Sequence, residues 1–271
     1  MPFAEVNGVK LRYETWGIGT TPVVFIHGLG SSADDWFMQF PALAAGYRCI
    51  ALDLRGHGLS EKPRGTYSVQ LFAADVVALL VALHAVPSHV VGLSLGGMVA
   101  QELGLAYPHV VRSLTLLNTL PGIWPPTREM VTVGLRRFRL GAAPAMDGIA
   151  ARVARSLFPR EEDALLRRMT EQRIAANDPV AYRRATLAVV RYRPGAALRR
   201  ISRPVLIMAG DSDLVVAREY QERLRANLPH AEWVTVAGGG HACNIDHADE
   251  VNRAVLAFLE RVDGRSEGAH G

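Results

Sequence analysis

The apolar positions of this chain follow two alternating rhythms. Short unbroken runs of β-branched and aliphatic residues, "VVFIHGLG" (23–30), "YRCIALDLRGHG" (47–58), "SHVVGLSLGG" (88–97) and "VRSLTLLN" (111–118), are punctuated by Gly, Asn or Asp and read as strands. Between them, 33–45, 68–84 and 95–107 carry apolar residues at helical spacing. Alternation of this kind requires crossover connections and so predicts a parallel sheet. The runs lack a polar partner face because helices would cover both sides of such a sheet. Ahead of them, "FAEVNGVKLRYETWG" sets Asn7-Gly8 between two alternating segments, the chemistry of a tight hairpin turn, and predicts an antiparallel hairpin at the edge.

The rhythm breaks at Pro121. From there to Arg200, "REMVTVGLRRFRLG", "AMDGIAARVARSLF", "EEDALLRRMTEQRIA" and "DPVAYRRATLAVVRY" read as four amphipathic helices separated by Gly, Pro and Asn-Asp-Pro signals. Asp178 and Pro179 suit a helix cap and first turn. Strand runs then resume in "RPVLIMAGDSD" (203–213) and "AEWVTVAGGGH" (231–241), with a helix over 216–227 and a final one over 248–262. The expected fold is therefore an α/β core, 1–120 with 201–262, whose mostly parallel sheet carries an N-terminal antiparallel hairpin. A helical segment, 121–200, is inserted between strands six and seven, and 263–271 is an expected disordered tail.

Composition narrows the classes. With 271 residues, 49% hydrophobic and 21% charged, the chain can bury a sizeable core, which excludes wholesale disorder. Apolar runs such as Val76–Leu83 are too short to span a bilayer, and "MPFAEVNGVK" has no basic segment followed by an apolar one. A soluble, unexported, cytoplasmic protein is expected, with no membrane partner. The net charge of +4 is carried mostly by arginines, since Lys10 and Lys62 are the only lysines. Those between 128 and 200 alternate with apolar and acidic residues, the pattern of solvated helix faces, so no nucleic-acid partner is expected. Two cysteines, Cys49 and Cys243, are too few for a disulfide framework or a zinc cage.

Ligands of a parallel sheet meet the carboxyl ends of its strands, so the residues just past each run carry the candidate chemistry. These are His27-Gly28-Leu29-Gly30, Ser94, Asp213 and His241. Ser94 stands between Gly92 and Gly96 where a strand passes into a helix, a turn so sharp that its neighbours must be nearly bare. A serine hydroxyl attacks only if a base takes its proton, and the base works best beside a carboxylate that fixes its tautomer. His241 and Asp213 are the expected base and carboxylate, and the backbone N–H groups of Leu29 and Leu95 the expected oxyanion donors. Asp211 stands too close to its strand, Asp246 and Asp249 belong to the approach of the last helix, and Asn118 offers an amide where an acid could sit. His27, His57 and His84 read as structural. Candidate substrate-binding residues are Trp36, Leu93, Trp124 and Val215, with Phe138 and Tyr192 as further pocket walls. An arginine facing inward from the inserted helices would suit an acidic substrate. Neither a metal nor an organic cofactor is called for.

Those residues give the sequence a resemblance, over roughly 3–262, to the α/β-hydrolase superfamily, carried by "HGLGSSADDW", "DLRGHGLS", "VVGLSLGGMVAQ", "PVLIMAGDSD" and "GGGHACNIDHADEVNRAVLAFL". The resemblance implies a helical cap where 121–200 is inserted and an acyl-enzyme mechanism. "DLRGHG" is similar to 3-oxoadipate enol-lactonases and general esterases, whereas the last segment resembles hydrolases of ring-fission products. Those carbon-carbon hydrolases have an asparagine before the nucleophile and a tryptophan after the histidine; Leu93 and Ala242 stand there instead. Ser94 departs from the aspartate of dehalogenases and epoxide hydrolases, and Met98 from the arginine of the menaquinone-precursor group. Cofactor-free haloperoxidases and perhydrolases share the three residues. The expectation is a serine hydrolase of small to medium esters or lactones, with carbon-carbon hydrolysis second and a small-molecule receptor of the same fold as the non-enzymatic alternative. Monomer and homodimer both stay open.

Overall fold

The computed structural model describes residues 2–123 and 146–264. Its single eight-stranded sheet runs in the order β1-β2-β4-β3-β5-β6-β7-β8. β1 (Phe3–Val6) and β2 (Val9–Trp16) form the N-terminal hairpin, with Val6 opposite Val9. Asn7 and Gly8 turn between them at φ 49 and 69, the double positive φ of a type I′ turn. β2 continues antiparallel onto β4 (Arg48–Leu52). The other strands, β3 (Pro22–Ile26), β5 (Ser88–Leu93), β6 (Val111–Leu117), β7 (Val205–Gly210) and β8 (Glu232–Val236), pair in parallel.

From β3 the chain steps outward to β4 and then crosses back to β5 on the other side of β3. The strand order therefore reverses at β3/β5, and sheets of this type take their ligands at the carboxyl ends of the strands beside such a reversal.

The inner strands β3, β5 and β7 are buried along their whole length because alternate residues serve two cores. Val24, Ile26, Val90, Leu114 and Ile207 pack with Phe72 and Val76 of α1 (Val69–Ala82) and Val99 and Leu103 of α2 (Leu95–Ala106). Their neighbours Val23, Phe25, Val91, Leu206 and Met208 pack on the other face with Val251, Val255 and Phe258 of the last helix. α1 starts where Ser68 Oγ accepts the Leu71 N–H at 3.1 Å, a cap worth about 1 kcal/mol.

Between β6 and β7 in sequence come α3 (Met146–Leu157), α4 (Ala164–Ala175) and α5 (Pro179–Arg191), matching three of the four expected helices. Asp178 caps α5 by accepting the Ala181 N–H at 2.7 Å, with Pro179 in the first turn. These helices share a small core of Met146, Ile149, Ala150, Ile174 and Tyr182. The helix expected over 128–141, with Phe138, and Trp124 before it lie outside the described residues. α6 (Arg218–Asn227) and α7 (Ala248–Val262) complete the core. Among the described residues, no helix is long and apolar enough to cross a membrane.

Two expectations are corrected. The stretch 33–45 is not one helix but a 3-10 turn, Ala33–Trp36, and a single α-turn, Phe40–Leu43. Pro41 can sit only in a first helical turn, which splits the stretch. Asp263, counted with the tail, is anchored: its Oδ1 lies 3.2 Å from His89 Nε2 and 3.2 Å from Arg112 Nη1, and its side chain is buried.

Phe25 is wholly buried between Trp36 and Phe40, at ring distances of 5.1 and 5.8 Å. Phe25→Ala is expected to cost about 3–5 kcal/mol of unfolding free energy, measurable by urea denaturation.

Candidate active site

At this reversal, β5 ends with Leu93 and α2 begins with Leu95, leaving Ser94 alone to make the turn. Its backbone is held at φ 55, ψ −112, a region that costs an L-residue about 1–3 kcal/mol and persists only when its surroundings impose it. Three contacts do so. The Ser94 N–H donates to Leu117 O at 3.0 Å, and Ser94 O accepts from Met98 N (3.1 Å) and Thr119 Oγ1 (2.6 Å). The flanking glycines are demanded by close approach: a Cβ on Gly92 would stand 2.3 Å from Gly96 O, and one on Gly96 1.9 Å from Ile26 O. The helix thus starts against the backbone of β3, with Ser94 half-buried above it.

Two strands away, Asp213 follows β7. Its Oδ1 accepts the N–H groups of Val215 (2.7 Å) and Val216 (3.0 Å), and its Oδ2 lies 2.9 Å from His241 Nδ1. An acceptor at Nδ1 requires the proton there, so that in the neutral ring the lone pair lies on Nε2. Both side chains are almost wholly out of solvent. Asp211, the neighbouring acid, instead accepts the Gly238 N–H at 2.8 Å.

The residue that joins these pieces is Asn118, just past β6. Its Nδ2 donates to Gly240 O (2.8 Å) and His241 O (2.9 Å) and lies 3.2 Å from Cys243 Sγ, while its Oδ1 accepts the N–H of Gly210, the last residue of β7. One buried amide therefore ties the carboxyl ends of β6 and β7 to the histidine loop. Sequence reasoning weighed position 118 only as a place for an acid; a lone amide between the serine strand and the acid strand was the available signal. No hydrogen bond joins Ser94 Oγ to His241 Nε2 among the described residues. Such contacts are commonly long before substrate binds.

The loop after β3 lies against the serine: a Cβ on Gly28 would sit 3.5 Å from Ser94 Cβ. Ser31 N–H closes on Gly28 O at 3.3 Å across Leu29 and Gly30. The N–H groups of Leu29 and Leu95 donate to no protein acceptor among the described residues. Beneath the loop, buried Asp53 accepts the N–H groups of Ala33 (2.7 Å) and Leu59 (2.8 Å) and faces Arg12 Nη1 at 3.2 Å. His27 Nε2 accepts the Leu54 N–H at 3.0 Å, and its ring stands 5.0 Å from that of His57. Burial holds both imidazoles well below their ordinary value, His57 down to about 3. Burial also pushes both thiols up, Cys49 to about 12, and both cysteines are free.

Of the expected pocket residues, Leu93 is buried, with its Cδ2 4.0 Å from where a Gly28 Cβ would stand. Val215 is exposed beside Asp213. Trp36 is a correction: wholly buried on Phe25, it belongs to the core under the sheet, because the turn after the glycine loop points it down onto β3. Tyr192 is likewise buried in the core on the opposite face.

Residues 21–248 match the family model for the alpha/beta hydrolase fold, and the chain belongs to that family. It is 27% identical to 3-oxoadipate enol-lactonase 2 of Acinetobacter baylyi over 93% of this chain and 94% of that one. The solved enol-lactonase from Burkholderia xenovorans LB400 superposes with a TM-score of 0.86 at 27% identity, covering 95% of this chain and 99% of that one. A bromoperoxidase from Bacillus anthracis superposes with a TM-score of 0.84 at 28% identity, covering 93% and 96%.

Two outcomes follow from this geometry. Gly96→Ala must push α2 off Ile26, with an expected loss of roughly 1–3 kcal/mol of stability and displacement of Ser94, visible as a lowered melting temperature. His27 and His57 make stability pH-dependent. Below pH 6.5 the unfolded chain protonates both imidazoles while the folded one does not, for His57 down to about pH 3. Stability present above pH 6.5 is thus lost as pH falls through that window, by up to about 1.4 kcal/mol per pH unit for each histidine. Urea midpoints measured from pH 7.5 to 4.5 should fall, and His57→Gln should flatten the slope.

Proposed function

We propose that this protein is a serine hydrolase of small to medium carboxylic esters or lactones, working through an acyl-enzyme. The observation that carries the reading is the 2.9 Å contact of His241 Nδ1 with buried Asp213, beside a serine held on a strained strand-to-helix turn. His241 Nε2 takes the Ser94 proton as Ser94 Oγ bonds to the carbonyl carbon. The oxygen, now negative, is met by the N–H groups of Leu29 and Leu95, which have no other acceptor among the described residues. Collapse breaks the bond to the leaving oxygen, which takes the proton back from His241. In a lactone that oxygen stays tethered to the acyl chain. Water then attacks the acyl-enzyme as His241 accepts its proton; collapse breaks the bond to Ser94 Oγ, which takes that proton from His241, and the acid leaves. Asp213 holds the imidazole in the required tautomer and stabilises its charge.

The helices between β6 and β7 would form a cap over this site and set the choice of acyl group, with Leu93 and Val215 at its border. Leu93 and Ala242 offer no side-chain donor to a dienolate or its carboxylate, which favours ester or lactone over carbon-carbon cleavage. The likeness to enol-lactonases supports the same choice.

Purified protein is expected to turn over p-nitrophenyl esters from acetate to decanoate, or a lactone, many times per molecule. Ser94→Ala and His241→Ala should lower kcat by about 10⁴-fold or more. Turnover confined to a ring-fission dienoate, or a Ser94→Ala protein equal to the parent, contradicts the proposal.

A further inference from the structure

The inserted helices grip the glycine loop. Asn177, in the link between α4 and α5, donates from Nδ2 to Gly30 O at 2.8 Å, and the same amide faces Ile174 O (3.1 Å) and Arg173 O (3.2 Å) at the end of α4. Gly30 has φ 77, third in the turn closed by Ser31 N–H on Gly28 O, the arrangement of a type II turn. The Tyr182 ring fills the space above it; a Cβ on Gly30 would lie 2.7 Å from Tyr182 Cε2. Leu29 itself packs into the small core that the inserted helices share. The turn carrying the Leu29 N–H is therefore held from above by residues far along the chain, one of them through a directed hydrogen bond.

We infer that Asn177 is a positioning residue: by holding the Gly30 carbonyl it fixes the Gly28–Ser31 turn so that the Leu29 N–H points at the developing oxyanion. The inference rests on the hydrolase reading above. Without the Asn177 donor, the Gly30 carbonyl loses its partner, and the turn is free to rotate the peptides on either side of Leu29. The substrate would still bind, because the pocket walls are unchanged, but the charge formed in the transition state would be met less well.

The test compares the parent with Asn177→Leu, which removes the donor at similar volume, and Asn177→Asp, which removes it at the same shape and serves if the leucine variant does not fold. Removal of one oxyanion donor costs about a hundred- to a thousandfold, so its misplacement is expected to lower kcat/KM by about tenfold. An alkyl boronic acid, bound as a tetrahedral anion on Ser94, should lose affinity by the same factor, whereas an ether of the same chain length, with no carbonyl, should inhibit as before. Unchanged boronate affinity in the folded variants, with or without a lower melting temperature, overturns the inference. So does an equal loss for boronate and ether, which would make Asn177 a pocket wall. Ester turnover surviving Ser94→Ala would instead sink the hydrolase reading, a result independent of Asn177.

Discussion

Everything in this protein is arranged around one close approach: the first turn of α2 against the carbonyl end of β3. With 1.9 Å between a would-be Gly96 Cβ and Ile26 O, helix and strand can meet only through bare backbone. That contact places Ser94 at the point where the strand order reverses, and it sets the glycine loop after β3 beside the serine. The strain at Ser94 is sustained because Leu117, Met98 and Thr119 each hold part of the turn.

The remaining parts are delivered by successive strands and joined by polar groups that are themselves buried. Asn118 does for the acid and histidine loops what the glycines do for the serine, using hydrogen bonds in place of clearance. Buried amides of this kind are costly unless satisfied, and this one has a partner on both ends. Asp53 plays the same part under the glycine loop, where it accepts two backbone N–H groups and faces Arg12. The site is thus supported by side chains that do not touch the expected reaction centre.

How much of this was legible in the sequence follows from range. The strands and most helices could be read because their burial leaves a periodic mark within ten residues, and Ser94, Asp213 and His241 stood out as candidates because each follows a strand within five residues. The stretch 33–45 misled because its apolar spacing is helical while Pro41 and the Asp53 bond to Ala33 cut it into turns. Asp263 and Asn177 were invisible for another reason: their partners lie 174, 151 and 147 residues away, and such pairings leave no local pattern. Trp36 shows the limit of reading aromatics by position, since one residue of rotation decides between core and pocket.

The central claim, that Ser94 is the nucleophile, is tested most directly by covalent capture. Native protein treated with a fluorophosphonate ester and digested should carry one adduct per chain, on the peptide holding Ser94, and denatured protein should carry none. An adduct on another residue, or none on the native protein, would contradict the account.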